Sequence, residues 1–246
     1  MSTSEPAART GDRKLLQAMI GNRCAQCGIR TFSVCAALEA RELWELEALG
    51  RDASFAARSV LFAQDQPADA VFNVTEGVVR LYKLLPDGKR QIVGFALPGD
   101  FLGLAMAERY GFSADAVQDV KVCRFPREAF SNFVDAKPHL LRRLHEFATH
   151  ELSLAQDQMV LLGRRTAEEK VASFLIGLRN RLARINMASV TVPLPMNRQD
   201  IADFLGLTIE TVSRIFARLA REKAILIVPD GVRLLDLPRI EALAAT

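Results

Sequence analysis

Between Pro138 and Leu162 the chain carries Leu141, Leu144, Ala148, Leu152, Ala155, Met159 and Leu162 at steps of three and four, with no glycine or internal proline to interrupt them. That spacing traces one face of a helix about 37 Å long at 1.5 Å per residue. A helix of this length joins two units, so the segments before and after it are read separately. The seam can bury against the chain's own barrel, as most amphipathic helices do. For a helix that joins two domains, it predicts instead a symmetric contact between two copies, with Ala148 and Ala155 allowing close approach. Glu151 and Gln158 flank the seam and are costly to bury unpaired, so the contact need not be tight.

Before the helix, from Ser59 to Phe125, short apolar runs alternate with turn residues. Val71–Val74, Val78–Tyr82, Gln91–Phe95 and Val120–Phe125 read as strands, separated by Glu76-Gly77, Pro86-Asp87-Gly88 and Leu97-Pro98-Gly99-Asp100. This pattern predicts a compact antiparallel barrel or jelly roll. Ahead of it, Ala36 to Leu49 reads as a short amphipathic helix, and residues 1 to about 13 read as a disordered start.

After the helix, Thr166 to Arg184 reads as a further amphipathic helix. Asn197 to Leu205 reads as a short helix capped by Asn197, Gly206 lets the chain turn, and Thr208 caps a helix running to Arg221. On that last helix Val212, Ile215, Phe216 and Leu219 share one face, and Glu210, Ser213, Arg214, Ala217 and Arg221 share the other. Two short helices joined through a glycine are the helix-turn-helix pattern, whose second helix enters the major groove of DNA. Arg214 can make a bidentate contact to guanine, Glu210 can accept from cytosine, and Ser213 is a short donor or acceptor. Glu210 and Arg214 can equally be a solvated ion pair one turn apart. Charge favours DNA: residues 163–223 carry eleven Lys and Arg against six Asp and Glu, so most of the chain's basic excess sits here. Ile225–Val228 and Val232–Leu235 around Pro229-Asp230-Gly231 form a hairpin, which makes the unit a winged helix-turn-helix.

The four cysteines are too few for a disulfide scaffold, and three of them fall in one arm as Cys24-x2-Cys27-x7-Cys35. Cys123, on the last barrel strand, joins them only if the arm folds back on the barrel. Four thiolates suit a structural zinc or an iron-sulfur cluster, and ligand softness does not separate the two. The plain alternative leaves Cys123 as an inert strand cysteine.

The cysteine array, a barrel bearing Cys123, a long helix and a helix reading Ile209-Glu210-Thr211-Val212-Ser213-Arg214 together resemble the fumarate and nitrate reduction regulators (FNR), members of the cyclic-AMP receptor protein (CRP) superfamily. The seven-residue gap between Cys27 and Cys35 is longer than in the best-known enteric member and is similar to the alphaproteobacterial branch. The resemblance implies an α+β fold: an N-terminal arm with the cluster cysteines at residues 1–35, a cyclic-nucleotide-binding-like β-roll at 36–136, a dimerisation helix at 137–163 and a winged helix-turn-helix at 164–246. It implies a 4Fe-4S cluster on Cys24, Cys27, Cys35 and Cys123, dimerisation along the seam without oxygen, and binding to a palindrome of TTGAT and ATCAA half-sites. Arg214 is then expected on guanine, Glu210 on the neighbouring pair, Ser213 near a thymine, and Thr208 and Arg218 on phosphate. Promoter DNA and RNA polymerase are the implied partners, the latter through surface loops such as the hairpin at Leu85 to Lys89.

Other classes fit less well. Cyclic AMP would need a glutamate after Gly103 and an arginine before Ser113, where Leu104 and Phe112 stand. A cupin enzyme needs histidines inside the barrel, yet the first histidine is His139, and His139, His145 and His150 read as solvated helix residues rather than haem ligands. No enzyme is expected. With a polar start and no apolar run long enough to cross a bilayer, the expected location is the cytoplasm. A DNA-binding regulator whose cysteines hold zinc or act as a thiol redox switch is the competing reading.

Overall fold

The computed structural model describes residues 22–104 and 108–245. The expected polar start, residues 1 to 13, and Gly21 lie outside them.

The barrel is two four-stranded antiparallel sheets packed face to face. One holds β1 (Arg51–Phe55), β8 (Val120–Pro126), β3 (Ala70–Glu76) and β6 (Phe101–Leu102) in that order; the other holds β2 (Val60–Phe62), β7 (Ser113–Ala116), β4 (Val79–Leu84) and β5 (Arg90–Ala96). Alternation builds the filling between them, since Phe62, Phe72, Val74, Val79, Ala114, Ala116, Val120 and Val122 all point inward and are buried. The jelly roll is as expected, but it begins earlier than Ser59. Strand β1 has only Ala53 and Phe55 against the core and is otherwise exposed, so its apolar signal is faint.

The arm folds through two short 3-10 turns, Arg30–Phe32 and Val34–Ala37, before α1 (Ala40–Leu49). The helix expected from Ala36 therefore starts four residues later. Glu39 and Glu42 form a reciprocal cap there, while Ser33 accepts from the Cys35 N–H and holds the preceding residues in a tighter turn. After the barrel come α2 (Arg127–Asp135) and the long α3 (Pro138–Arg164), whose proline sits in the first turn where its missing N–H is harmless.

The C-terminal unit is α4 (Ala167–Arg184), β9 (Thr191–Pro193), α5 (Arg198–Leu205), α6 (Ile209–Arg221), the β10 (Ile225–Val228) and β11 (Gly231–Leu234) hairpin, and α7 (Leu237–Ala245). Two caps are as expected: Asn197 caps α5, reciprocally with Asp200, and Thr208 accepts from the Thr211 N–H; Thr166 and Glu169 also cap α4 reciprocally. Gly206 ends α5 with φ +63°, a left-handed conformation that glycine adopts without a Cβ penalty. The wing adds β9 as a third strand beside β11. Helix α7 was not anticipated. Asp236 accepts from the Arg239 N–H at its start, and Ile240 is wholly buried as the helix packs on α4.

The core divides in three. One cluster fills the barrel. A second gathers the arm, α1, α2 and the first turns of α3. The third is the C-terminal core, and it runs on into Val78, Ile92, Phe95 and Leu97 of the barrel, so the DNA-binding unit and the barrel share apolar packing.

Candidate functional site

The amphipathic register of α6 holds. Val212, Ile215, Phe216 and Leu219 are buried, while Glu210, Ser213, Arg214, Ala217 and Arg221 are exposed. Arg198 of α5 lies over the Phe216 ring, 3.6 Å from its centroid, and ties the two helices together. The Arg214 guanidinium donates to Thr211 Oγ1 at 3.2 Å, which aims it along the outer face. Glu210 is held below its ordinary range by its own backbone N–H first, then by Thr208 and by the Arg214 charge, so it is an acceptor at neutral pH. Thr208 lies at the exposed N-terminus of the helix, where orphan N–H groups favour a phosphate. Arg218 has a partner within the chain. Its guanidinium is bound to Glu168 of α4 at 2.5 Å, so a phosphate contact there has to compete with that carboxylate.

The arm does fold back on the barrel. Asn22 Oδ1 accepts from the Ala25 N–H at 2.9 Å and its carbonyl accepts from Gln26 N at 3.2 Å, closing the loop that carries Cys24 and Cys27. Arg23 bridges Glu47 of α1 at 3.0 Å and Asp52 of β1 at 2.6 Å, which pins this loop to the barrel edge. Cys35 is buried, and Cys24 and Cys123 pack against the same apolar cluster. All four cysteines are free thiols. Burial first, then the nearby Cys35, Glu47 and Cys27, pushes the Cys24 thiol up to about 12. Burial and then Cys24, Asp52, Cys27 and Cys35 push Cys123 to about 12 as well. The four side chains thus occupy one neighbourhood, although among the described residues no three Cys, His, Asp or Glu side chains stand at the spacing of a single-ion site. The Asn22 side-chain NH2, wholly buried at the head of the loop, has no acceptor among the described residues.

The thiol cluster also touches α3. The turn bearing Cys35 packs on that helix, and Leu140, Leu144 and Phe147 belong to the cluster that holds the cysteines. Lys137 reaches Glu45 at 2.8 Å and His139 reaches Glu42 at 3.0 Å, so His139 is engaged rather than simply solvated. His150 Nε2 likewise accepts from the Arg184 guanidinium at 2.5 Å.

Of the seam expected to join two copies, Leu141, Ala148, Leu152, Ala155 and Met159 are exposed, with Leu152 at 59% and Met159 at 71%. Its two other members are committed within the chain: Leu144 packs on the arm cluster and Leu162 on the C-terminal core. The hairpin at residues 85–89 stands out from the barrel, closed by Asp87, which accepts from the Lys89 N–H and pairs with its ammonium at 2.9 Å. Where a cyclic nucleotide would need polar partners, the Gly103 carbonyl accepts from Arg127 and the Ser113 hydroxyl accepts from the Gln64 N–H. Among the described residues, no helix is long and apolar enough to cross a membrane.

Sequence comparison agrees with this architecture. Residues 53–137 match the family described as cyclic nucleotide-binding domain, and residues 169–243 match the Crp-like helix-turn-helix domain. The chain is 58% identical to the transcriptional activatory protein AadR of Rhodopseudomonas palustris, over 92% of its own length and 95% of that protein's. It is 36% identical to the transcriptional activator protein FnrL of Cereibacter sphaeroides, covering 87% of this chain and 91% of the other. The solved structure of FixK2 from Bradyrhizobium japonicum superposes with a TM-score of 0.75 at 36% identity, over 80% of this chain and 98% of that one. The paired domains, the exposed helix and these relatives place the chain in the CRP/FNR family of DNA-binding transcription regulators, on its FNR-type branch, and not among enzymes.

Proposed function

We propose that the chain is an oxygen-responsive cytoplasmic regulator that binds a 4Fe-4S cluster, dimerises along α3 without oxygen and binds TTGAT/ATCAA palindromes to control genes used at low oxygen. The observation that carries this reading is that Cys24, Cys35, Cys123 and the first turns of the long helix belong to one apolar cluster. Relatives named as the activators AadR and FnrL, and as nitrogen fixation regulation protein FixK of Bradyrhizobium diazoefficiens at 57% identity, support the regulatory class.

The donor set fits an iron-sulfur group. Crowded, buried thiols with raised pKa values are poor thiolates alone, and a metal that accepts their charge removes both causes of the shift. The Asn22 NH2 at the head of the Cys24–Cys27 loop, without an acceptor among the described residues, offers a donor to sulfur. When bound, the cluster supplies an oxygen-labile joint between the arm and Cys123. Cys35 and Cys24 then hold the arm against Leu140, Leu144 and Phe147, and Lys137 and His139 hold the helix start to α1. Release of the arm loosens these contacts at the base of the seam. A coupling of a few kcal/mol is enough to move a monomer–dimer equilibrium by orders of magnitude. On DNA, Arg214 takes a guanine, Glu210 its neighbouring pair and Ser213 a thymine, with Thr208 on phosphate. The 85–89 hairpin is the surface offered to RNA polymerase.

The test is the visible absorption of protein purified without oxygen, with iron and sulfide assayed, followed by admission of air. A broad sulfide-to-iron band that bleaches in air while DNA affinity falls is the expected result. A colourless protein holding zinc, or holding no metal and binding DNA equally in air, overturns the oxygen switch and leaves a zinc or thiol redox regulator.

A further inference from the structure

The outer face of the β4–β5 sheet is built to grip the first helix of the helix-turn-helix. In β4, Val79 and Leu81 point into the barrel, which by period-two geometry turns Arg80 and Tyr82 outward. Register sets Arg80 beside Asp115 of β7 and Phe95 of β5, and sets Tyr82 beside Ile92. Arg80 holds Asp115 through two bonds, 2.9 and 2.6 Å, and reaches Asp200 of α5 at 2.5 Å. Arg90 reaches the same Asp200 oxygen at 2.8 Å and Asp203 at 2.8 and 3.1 Å. Both guanidinium groups lie over the Tyr82 ring, 6.0 and 5.7 Å from its centroid. Gln91 donates to the Asp203 carbonyl at 2.7 Å, and Phe95, Phe174 and Phe204 close a ring triangle at 5.6 to 6.3 Å beneath.

Two features decide what this clasp does. First, it takes α5 by Asp200, Asp203 and Phe204, and leaves Glu210, Ser213, Arg214 and Arg221 of α6 uncovered. Docking therefore does not mask the reading face. Second, Asp200 also caps α5, accepting from the Asn197 N–H, so the carboxylate that starts the helix is the one that orients it against the barrel.

We infer that Arg80 and Arg90 are positioning residues that set the spacing between half-sites the protein accepts, by locking each recognition helix at one orientation to the barrel and long helix. This rests on the reading of the chain as a symmetric dimer on palindromic DNA. A two-fold dimer meets its two half-sites only when both recognition helices stand at the right separation, so a helix free to swing is competent for only part of the time. Rigid attachment thus raises affinity at one spacing and penalises others.

The test measures anaerobic binding, by fluorescence anisotropy, to duplexes carrying the two half-sites at their natural separation and with two base pairs inserted or removed. Sedimentation in the same buffer follows the dimer. Arg90→Gln is expected to weaken binding at the natural spacing about tenfold and to shrink the penalty for the altered spacings, with the dimer intact. The exchange of Arg90→Asp with Asp203→Arg is expected to recover both where Arg90→Asp alone does not, which separates the clasp from a general loss of structure. Wild-type protein that ignores spacing overturns the dimeric reading and the inference with it. Wild-type protein that discriminates, with an Arg90→Gln variant that discriminates equally or binds the natural site more tightly, overturns the clasp alone.

Discussion

At the scale of single residues, Arg214 and Cys123 carry the two halves of the proposed function. Arg214 is exposed on α6 with its guanidinium steadied by Thr211. Replacing it with alanine is expected to cost about 1 to 3 kcal/mol of discrimination at one base of each half-site. Binding curves on single-base-substituted duplexes check this, and equal weakening on every duplex reassigns Arg214 to phosphate. Cys123 stands on β8 opposite Asp52 of β1 and Asn73 of β3 and faces the arm thiols. Cys123→Ala removes no large core contact, so the expected outcome is an unchanged circular dichroism spectrum with iron and sulfide lost. Unchanged iron content excludes it as the fourth ligand.

At the scale of elements, the long helix has two characters. Its ends are packed within the chain, while its middle offers Leu152 and Met159 to solvent. Leu152→Asp puts a charge into the proposed seam and is expected to leave the protein folded but monomeric by sedimentation, with palindrome binding lost. The start of that helix is expected to be sensitive to acid. Burial raises the Glu42 carboxyl, but the Glu39 N–H and then His139 outweigh it and hold the carboxyl below its ordinary range. A carboxylate whose folded pKa is depressed contributes stability above its unfolded value, about 4.3, and that contribution disappears as pH falls through the lowered one. Thermal unfolding followed from pH 5 to more acid conditions is therefore expected to drop less steeply in Glu42→Gln than in the wild type, from a lower starting point.

At the scale of the whole molecule, the barrel and the DNA-binding unit share one apolar cluster and are therefore expected to unfold together. Phe95 is the barrel's main contribution to that junction, touching Phe174 and Phe204, while Arg181 of α4 donates to the Phe95 carbonyl at 2.7 Å. Phe95→Ala is expected to cost about 3 to 5 kcal/mol. Calorimetry is expected to show one transition in the wild type and two in the variant. A single transition in both places the coupling in the ionic clasp instead.

What the sequence determined by itself is largely what local rules govern: the helix stripes, the capping residues Asn197 and Thr208, the turn at Gly206, the apolar runs of β3, β4, β5 and β8, and the grouping of three cysteines in one arm. These depend on neighbours within a few positions, so periodicity and turn chemistry expose them. Strand β1 and helix α7 carry weaker local signals, the first having little buried surface and the second being nine residues long with Ile240 as its one buried residue. Only the tertiary structure decided the rest. It brought Cys123 to the arm, paired Arg218 with Glu168, packed Leu144 and Leu162 partly within the chain, and set Arg80 and Arg90 against Asp200 and Asp203 across more than a hundred positions. Such pairings follow from which surfaces meet once each unit has folded, and a charged side chain on a strand looks the same in sequence whether it faces water or a helix.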